Sequence, residues 1–118
     1  MNEKAGGGPV VILGDLNAGP GGAAFEADWP ASFAVLTDAG FTPPYASQPD
    51  ASCSLCPDNT HRSPTSKPKL VDHALLRDFD GKANGARILG QPVTLQVNGA
   101  STLESLSDHY GIALEITR

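Results

Sequence analysis

The chain has 118 residues, 40% hydrophobic and 18% charged, a balance typical of one globular domain. Its formal net charge of −5 at pH 7 argues against a surface that binds polyanions in general. No apolar run approaches the roughly 20 residues that a membrane-spanning helix requires, and Met1–Gly8 does not show the pattern of a signal peptide.

Residues 1–8 are polar and rich in glycine, which predicts a flexible start before a folded region covering residues 9–118. An apolar run, Val10–Leu13, then ends in Gly-Asp-Leu-Asn and a turn rich in glycine and proline. This pattern predicts a buried strand that delivers Asp15 and Asn17 to its C-terminal edge. Residues two apart in extended backbone project to the same side, so both side chains can address one ligand. A turn without chemistry is the alternative, because Asp, Asn and Gly are common turn residues.

The middle of the chain predicts one short helix and one short strand. Pro30–Ala39 has a proline at its first turn and Gly40 directly after it, which favours a helix packing on a sheet. Ala51–Cys56 is compatible with a strand, and it contains Cys53 and Cys56. Positions three apart in a strand face opposite sides, which disfavours a disulfide, and two cysteines are too few for a structural zinc site. We therefore expect an unreactive pair of thiols.

Leu70–Leu76 predicts a strand with Asp72 on one face and His73 on the other. An acid inside an apolar strand is costly without a partner, and His109 is a natural candidate for that partner. If Asp72 faces a site, His73 faces away from it. We therefore expect His73 to be a structural histidine.

The C-terminal third predicts three more strands. Ala86–Leu89 and Pro92–Val97 favour a strand pair, and Asn98–Leu106 is expected to be a loop leading into Ser107-Asp108-His109. In the last strand three alternate residues share one face: Ile112, Leu114 and Ile116.

Six of the eight basic residues lie between positions 62 and 87, on both sides of Asp72. Two interpretations remain open, namely solvated loop charge and a rim that faces a phosphate group. The six residues are Arg62, Lys67, Lys69, Arg77, Lys82 and Arg87.

Three segments in this order resemble the C-terminal motifs of the endonuclease/exonuclease/phosphatase superfamily: GDLN at 14–17, VDHALL at 71–76 and LSDHYG at 106–111. That family consists of metal-dependent phosphoesterases, among them deoxyribonucleases, inositol polyphosphate 5-phosphatases and neutral sphingomyelinases, and the chain is most similar to the sphingomyelinase-like branch. The resemblance implies an α/β fold. Residues 9–118 would form the C-terminal half of a two-sheet α/β sandwich of the deoxyribonuclease/phosphatase type, with mostly antiparallel strands and a covering helix.

The resemblance also implies roles for individual residues. Asp15 would orient or deprotonate the attacking water, and Asn17 would hold a phosphoryl oxygen. Asp72 would accept a hydrogen bond from the imidazole of His109, which would face the scissile phosphate. Whether Asp15 or the pair of Asp72 and His109 acts as the base stays open.

The implied cofactor is Mg²⁺ or Mn²⁺, with Asp108 at or beside the metal site. In the family, a glutamate of the N-terminal half is the principal metal ligand, and no glutamate of this sequence offers a replacement, so we expect an incomplete catalytic set. Asn59, in a polar loop, is a candidate for contact with the substrate, and an exposed loop residue is the alternative.

Two classes of function follow from these expectations. The first is metal-dependent hydrolysis of a phosphate ester, completed by an N-terminal half from elsewhere, with nucleic acid and phospholipid both open as substrates. The second is a catalytically inactive half-domain that binds a copy of itself or another chain through an open sheet face. A generic α/β binding protein, in which the motifs are coincidental, is a third reading.

Overall fold

Strands dominate the regular structure of residues 7–118, the part of the chain described in a computed structural model. The flexible start predicted for residues 1–8 falls largely on residues 1–6, which lie outside the described part. The strands pair two by two into three antiparallel sheets. In chain order the elements are β1 (Val10–Asp15), α1 (Pro30–Asp38), β2 (Asp72–Arg77), β3 (Lys82–Ile88), β4 (Val93–Val97), β5 (Ala100–Glu104) and β6 (Gly111–Thr117).

The predicted fold class, half of a two-sheet α/β sandwich with a covering helix, is wrong. The described residues are mostly β, and the sheets are small: β1 with β2, β3 with β6, and β4 with β5. Helix α1 has nine residues and buries only Phe33, so at about 1.5 Å per residue it is too short to form a layer over a sheet. The long connection between α1 and β2 is broken by prolines and contributes isolated bridges instead of strands.

The strand pairing after β2 also differs from the prediction. Ala86–Leu89 does not pair with Pro92–Val97, because β3 is paired along its whole length with β6. Strand β4 pairs instead with β5, which lies within the predicted loop Asn98–Leu106. Asn98 and Gly99 both have positive φ, at 51° and 78°, and Asn-Gly is the preferred sequence of a two-residue hairpin turn.

The segment Ala51–Cys56 is irregular, with a single bridge from Leu55 to Lys69, and is not the predicted strand. Cys53 and Cys56 are joined by a disulfide, with their Cα atoms 5.4 Å apart. The expectation of free thiols assumed extended backbone, in which the two side chains face opposite sides. Here the chain bends between them, and both cysteines are buried.

Among the described residues, two hydrophobic clusters form the core on which the candidate site is built. One lies between α1 and the β1–β2 sheet, where Phe33 packs with Phe41 and the fully buried Leu75. Full burial of a side chain such as Leu75 contributes about 1.5–3 kcal/mol. The second cluster surrounds the disulfide and includes Leu70 and Tyr110. No helix within the described residues is long and apolar enough to cross a membrane.

Candidate active site

Two carboxylates meet at one end of the β1–β2 sheet. The antiparallel register sets Asp15, the last residue of β1, opposite Asp72, the first residue of β2. Residues opposite each other in such a pair have Cβ atoms about 5 Å apart on the same face of the sheet. Because like charges at this distance repel each other, the pair favours a positively charged group nearby.

The backbone on both sides of Asp15 has left-handed geometry. Gly14 has φ of 147°, a region that residues with a Cβ rarely adopt, so this position requires glycine. Two residues after Asp15, Asn17 has φ of 47°, and its backbone N–H donates to Asp15 Oδ1 at 2.8 Å. This turn fixes one oxygen of the exposed Asp15 carboxylate and leaves the other for a ligand.

Asn17 therefore lies in a turn, and not in the extended backbone from which the sequence argument started. The strand ends at Asp15, and the next residue, Leu16, donates its N–H to the carbonyl of Val71 at 2.9 Å. Asn17 is exposed directly beyond this bond. It is both a turn residue and a neighbour of the carboxylate, so its role toward a phosphoryl oxygen stays a prediction.

His109 completes the group. It lies just before β6, and its Nδ1 is 2.7 Å from Asp72 Oδ2, which is the contact expected from the sequence. The side chain of His109 is 25% exposed and that of Asp72 is 20% exposed, so solvent reaches both. Ligand atoms of Asp15, Asp72 and His109 all lie within 4.8 Å of one another.

The contact with Asp72 determines which nitrogen of the neutral His109 ring carries the proton. An ionised carboxylate only accepts hydrogen bonds, so Nδ1 must be the donor. The other ring nitrogen, Nε2, is then a free acceptor in the neutral form and a donor in the protonated form. Both states are useful for moving a proton to or from a bound group.

His73, the other histidine near the sheet end, is buried on the opposite face of β2. Its Nε2 is 3.0 Å from the carbonyl oxygen of Ala18, and its ring centroid is 4.7 Å from that of Phe33. Burial lowers the pKa of His73, against the opposing effects of the Ala18 carbonyl and of nearby carboxylates. A neutral ring that donates to Ala18 is a structural group, in line with the sequence expectation.

Asn59, the candidate for substrate contact, uses its side chain within the protein. It is buried, its Nδ2 donates to the carbonyl of Ser107 at 2.7 Å, and its Oδ1 accepts from the N–H of His61 at 2.9 Å. The Nε2 atom of His61 is in turn 2.7 Å from the carbonyl of Ser105. These bonds attach the loop after the disulfide to the loop that carries His109. In the described structure Asn59 therefore holds the loop that carries His109.

Asp108 is exposed beside His109 and is not among the three residues whose ligand atoms meet. Its role as a metal ligand stays a prediction.

Four of the basic residues near Asp72 have partners elsewhere, which favours the reading as ordinary structural and solvated charge. Lys67 and Lys69 pair with carboxylates at 3.4 Å and 2.9 Å. The guanidinium groups of Arg77 and Arg87 lie over aromatic rings, 4.5 Å and 4.7 Å from the ring centres.

An open cavity of about 210 Å³ adjoins the group between the β1–β2 sheet and β6. Two larger cavities, of about 480 Å³ and 360 Å³, lie beside β3 and β6 and beside α1, away from the three residues. The smaller cavity is the one next to the candidate site, because Asp72 forms part of its wall. Its lining residues are Leu13, Gly14, Asp72, His73, Gly111 and Ile112.

One contributor to the site that the sequence analysis missed is Ser54. It is fully buried, and its hydroxyl oxygen accepts hydrogen bonds from the backbone N–H groups of Val71 and Asp72. The only sequence signal is its position directly after Cys53.

Comparisons of the chain with protein-family models, with curated proteins and with solved structures found no match.

Proposed function

We propose that this chain is a metal-dependent phosphoesterase, with Asp15, Asp72 and His109 as its reacting group. One observation carries the proposal: these side chains come from three distant segments, yet their ligand atoms lie within 4.8 Å of one another at a solvent-accessible strand end. They also belong to the three motifs that resemble the endonuclease/exonuclease/phosphatase superfamily. The proposal depends on this side-chain cluster and not on a two-sheet architecture.

The chemistry proposed is hydrolysis of a phosphate ester. Water attacks phosphorus, the bond from phosphorus to the ester oxygen breaks, and the leaving oxygen takes up a proton. In this proposal either the free oxygen of Asp15 or Nε2 of His109 receives the proton of the water, and the protonated group then returns it to the leaving oxygen. Asp72 holds the His109 ring through Nδ1, and the exposed amide of Asn17 supplies N–H donors for a phosphoryl oxygen.

The donor set fits a divalent cation. Mg²⁺ prefers oxygen ligands and is commonly bound through one or two carboxylates while it keeps several waters. Asp15 and Asp72 each have one oxygen outside the hydrogen bonds described above, and Asp108 is the further ligand that we propose. Mn²⁺ would accept the same oxygens. Such an ion neutralises the negative charge that develops on the phosphoryl group.

The test is hydrolysis of bis-p-nitrophenyl phosphate by the purified chain with Mg²⁺ or Mn²⁺. We expect metal-dependent turnover even without the family's N-terminal glutamate, because the proposed cation would be held by carboxylates of this chain. His109→Ala should lose at least about 10²-fold, since a general acid or base contributes roughly 10²–10⁴-fold. Asp38→Asn, at the exposed end of α1, is the matched control and should keep full activity. Equal turnover by His109→Ala and the parent chain would reject the assignment of His109. Absence of turnover from the folded parent would reject the proposal for the isolated chain.

A second candidate function, self-association, is favoured by the exposed apolar side chains of β1. Within residues 7–118 this strand pairs only with β2, while Val11 is 46% and Leu13 72% exposed. A free strand edge of this kind pairs readily with another strand. Two copies joined antiparallel along β1 would form one symmetric four-stranded sheet. Molar mass measured against concentration tests this: we expect a dimer, and Val11→Lys should restore the monomer.

A further inference from the structure

Ser54 makes four hydrogen bonds from a position with no exposed surface. Its N–H donates to the carbonyl of Lys69 at 3.0 Å, and its own carbonyl accepts from the N–H of Tyr110 at 2.8 Å. Its hydroxyl oxygen accepts from the N–H of Val71 at 3.1 Å and from that of Asp72 at 3.2 Å. One residue is thus bonded to two segments that are otherwise far apart in the sequence.

These two segments carry the two members of the hydrogen-bonded pair. Asp72 is itself bonded to the Ser54 hydroxyl, and Tyr110 directly follows His109 in the chain. The pair is one side-chain hydrogen bond of 2.7 Å between residues 37 positions apart. Its length and angle therefore depend on how the two backbones are placed relative to each other. Ser54 is hydrogen-bonded to both backbones, at Asp72 itself and at the residue directly after His109.

The surroundings of Ser54 restrict its own movement. It follows Cys53, and the disulfide from Cys53 to Cys56 closes a small ring that contains it. Arg87 braces this ring, because its Nη1 lies 3.2 Å from Cys56 Sγ while its guanidinium lies over the Tyr110 ring. Because Ser54 is held in this way, its hydrogen bonds keep the partner backbone groups in fixed positions.

We infer that Ser54 is a positioning residue for the Asp72–His109 pair, a deeper claim that rests on the proposed function for its kinetic consequence. It does not touch the reacting atoms. Removing its hydroxyl leaves the buried N–H of Val71 and the part-buried N–H of Asp72 without their acceptor. The start of β2 then relaxes, and the carboxylate of Asp72 loses its alignment with His109.

The first measurement is the tautomer of His109, read from ¹⁵N chemical shifts of its ring in labelled protein. In the parent chain we expect the neutral ring to carry its proton on Nδ1, because Asp72 accepts there. Ser54→Ala should shift the ring toward a mixture of tautomers, and Ser54→Thr, which keeps a hydroxyl, should restore the Nδ1–H form. Thr42→Val is the matched control, since it removes a hydroxyl bond to the carbonyl of Leu76 near the other end of β2.

The second measurement is kinetic. We expect Ser54→Ala to lower kcat roughly 10- to 100-fold with little change in KM, as small displacements of catalytic groups do. An unchanged tautomer in a folded Ser54→Ala protein would overturn the inference. A second outcome is that Ser54→Ala shifts the tautomer as expected while the parent chain shows no turnover. This would support the positioning role and refute the proposed function.

A third measurement keeps the inference testable where Ser54→Ala does not fold. Amide hydrogen exchange in the parent chain should be slow at Asp72 and Tyr110, because both N–H groups are bonded to Ser54. Exchange at these two amides as fast as at exposed loop amides would overturn the inference.

Discussion

The hydrogen bond between Asp72 and His109 should contribute measurably to stability, apart from any role in catalysis. Changing either residue to alanine removes the bond but also alters other interactions of that residue. The double variant removes both sides, so the difference between the double change and the sum of the single changes isolates the pair. Alanine is the suitable replacement here because asparagine would keep an oxygen able to accept from Nδ1.

The size of this coupling follows from the geometry. The atoms are 2.7 Å apart, and a hydrogen bond to a charged group contributes roughly 1.5–3 kcal/mol when it is fully buried. The two side chains are 25% and 20% exposed, so water competes for both and screens their attraction. We therefore expect a coupling free energy of about 1 kcal/mol, below the range for a buried pair.

The assay is urea unfolding at pH 7 of the parent chain, Asp72→Ala, His109→Ala and the double variant. A control cycle combines Asp72→Ala with Lys82→Ala, since Lys82 is exposed at the start of β3. Distant changes add to within about 0.3–0.5 kcal/mol, so the control coupling should lie within that limit. A coupling between Asp72 and His109 no larger than the control would refute the view that the pair is formed in solution.

Three further predictions concern the surroundings of the site. Gly14→Ala should lower the free energy of unfolding by about 1–3 kcal/mol, because φ of 147° strains a residue with a Cβ, whereas Gly21→Ala has only ordinary contacts and should change little. Reducing the disulfide from Cys53 to Cys56 should cost about 2 kcal/mol by the chain-entropy estimate for so short a ring, and an unchanged melting temperature in dithiothreitol would contradict this. The pKa of His73 is lowered by burial, so below about pH 6.5 the unfolded chain binds a proton that the folded chain does not. Stability should fall as the pH drops from 7.5 to 5.5, by at most about 1.4 kcal/mol per pH unit from this group, and the loss should be smaller in His73→Phe.

Several elements could be predicted because their signals are local. The apolar run before Gly14 marks β1, the proline and Gly40 bound α1 to within one residue, and alternating residues from Ile112 mark β6. The contact of Asp72 with His109 could be predicted from the free-energy cost of an acid within an apolar strand, which requires a partner. The elements need only neighbouring residues and a general rule, whereas the partner of Asp72 lies 37 positions away in the chain.

The wrong predictions concern which strands pair with each other and whether the two cysteines are joined. Asn98-Gly99 is a recognisable hairpin sequence, and its turn makes residues 100–104 a strand, β5, where a loop is predicted. The pairing of β3 with β6 joins segments separated by the whole β4–β5 hairpin, and no local pattern specifies that choice. The prediction of free thiols holds only for extended backbone at Cys53, whereas the chain bends there and brings Cys53 and Cys56 together. The roles of Ser54 and Asn59 depend on hydrogen bonds to distant segments, which the neighbouring sequence does not specify.

The two strands that form the candidate site differ in how firmly they are held, and this difference bears on how the site would work. The middle of β2 is buried on both faces, and its residue Leu76 is bonded to Thr42 on the edge away from β1. Asp72 therefore projects from a rigid element, and Ser54 fixes its backbone. Strand β1 is exposed along most of its length, and Asp15 at its end follows Gly14, whose φ of 147° only glycine adopts readily. In the proposed site Asp72 and His109 would therefore stay aligned with each other, while the Asp15 oxygen that the turn leaves free would be available to a bound cation or phosphate.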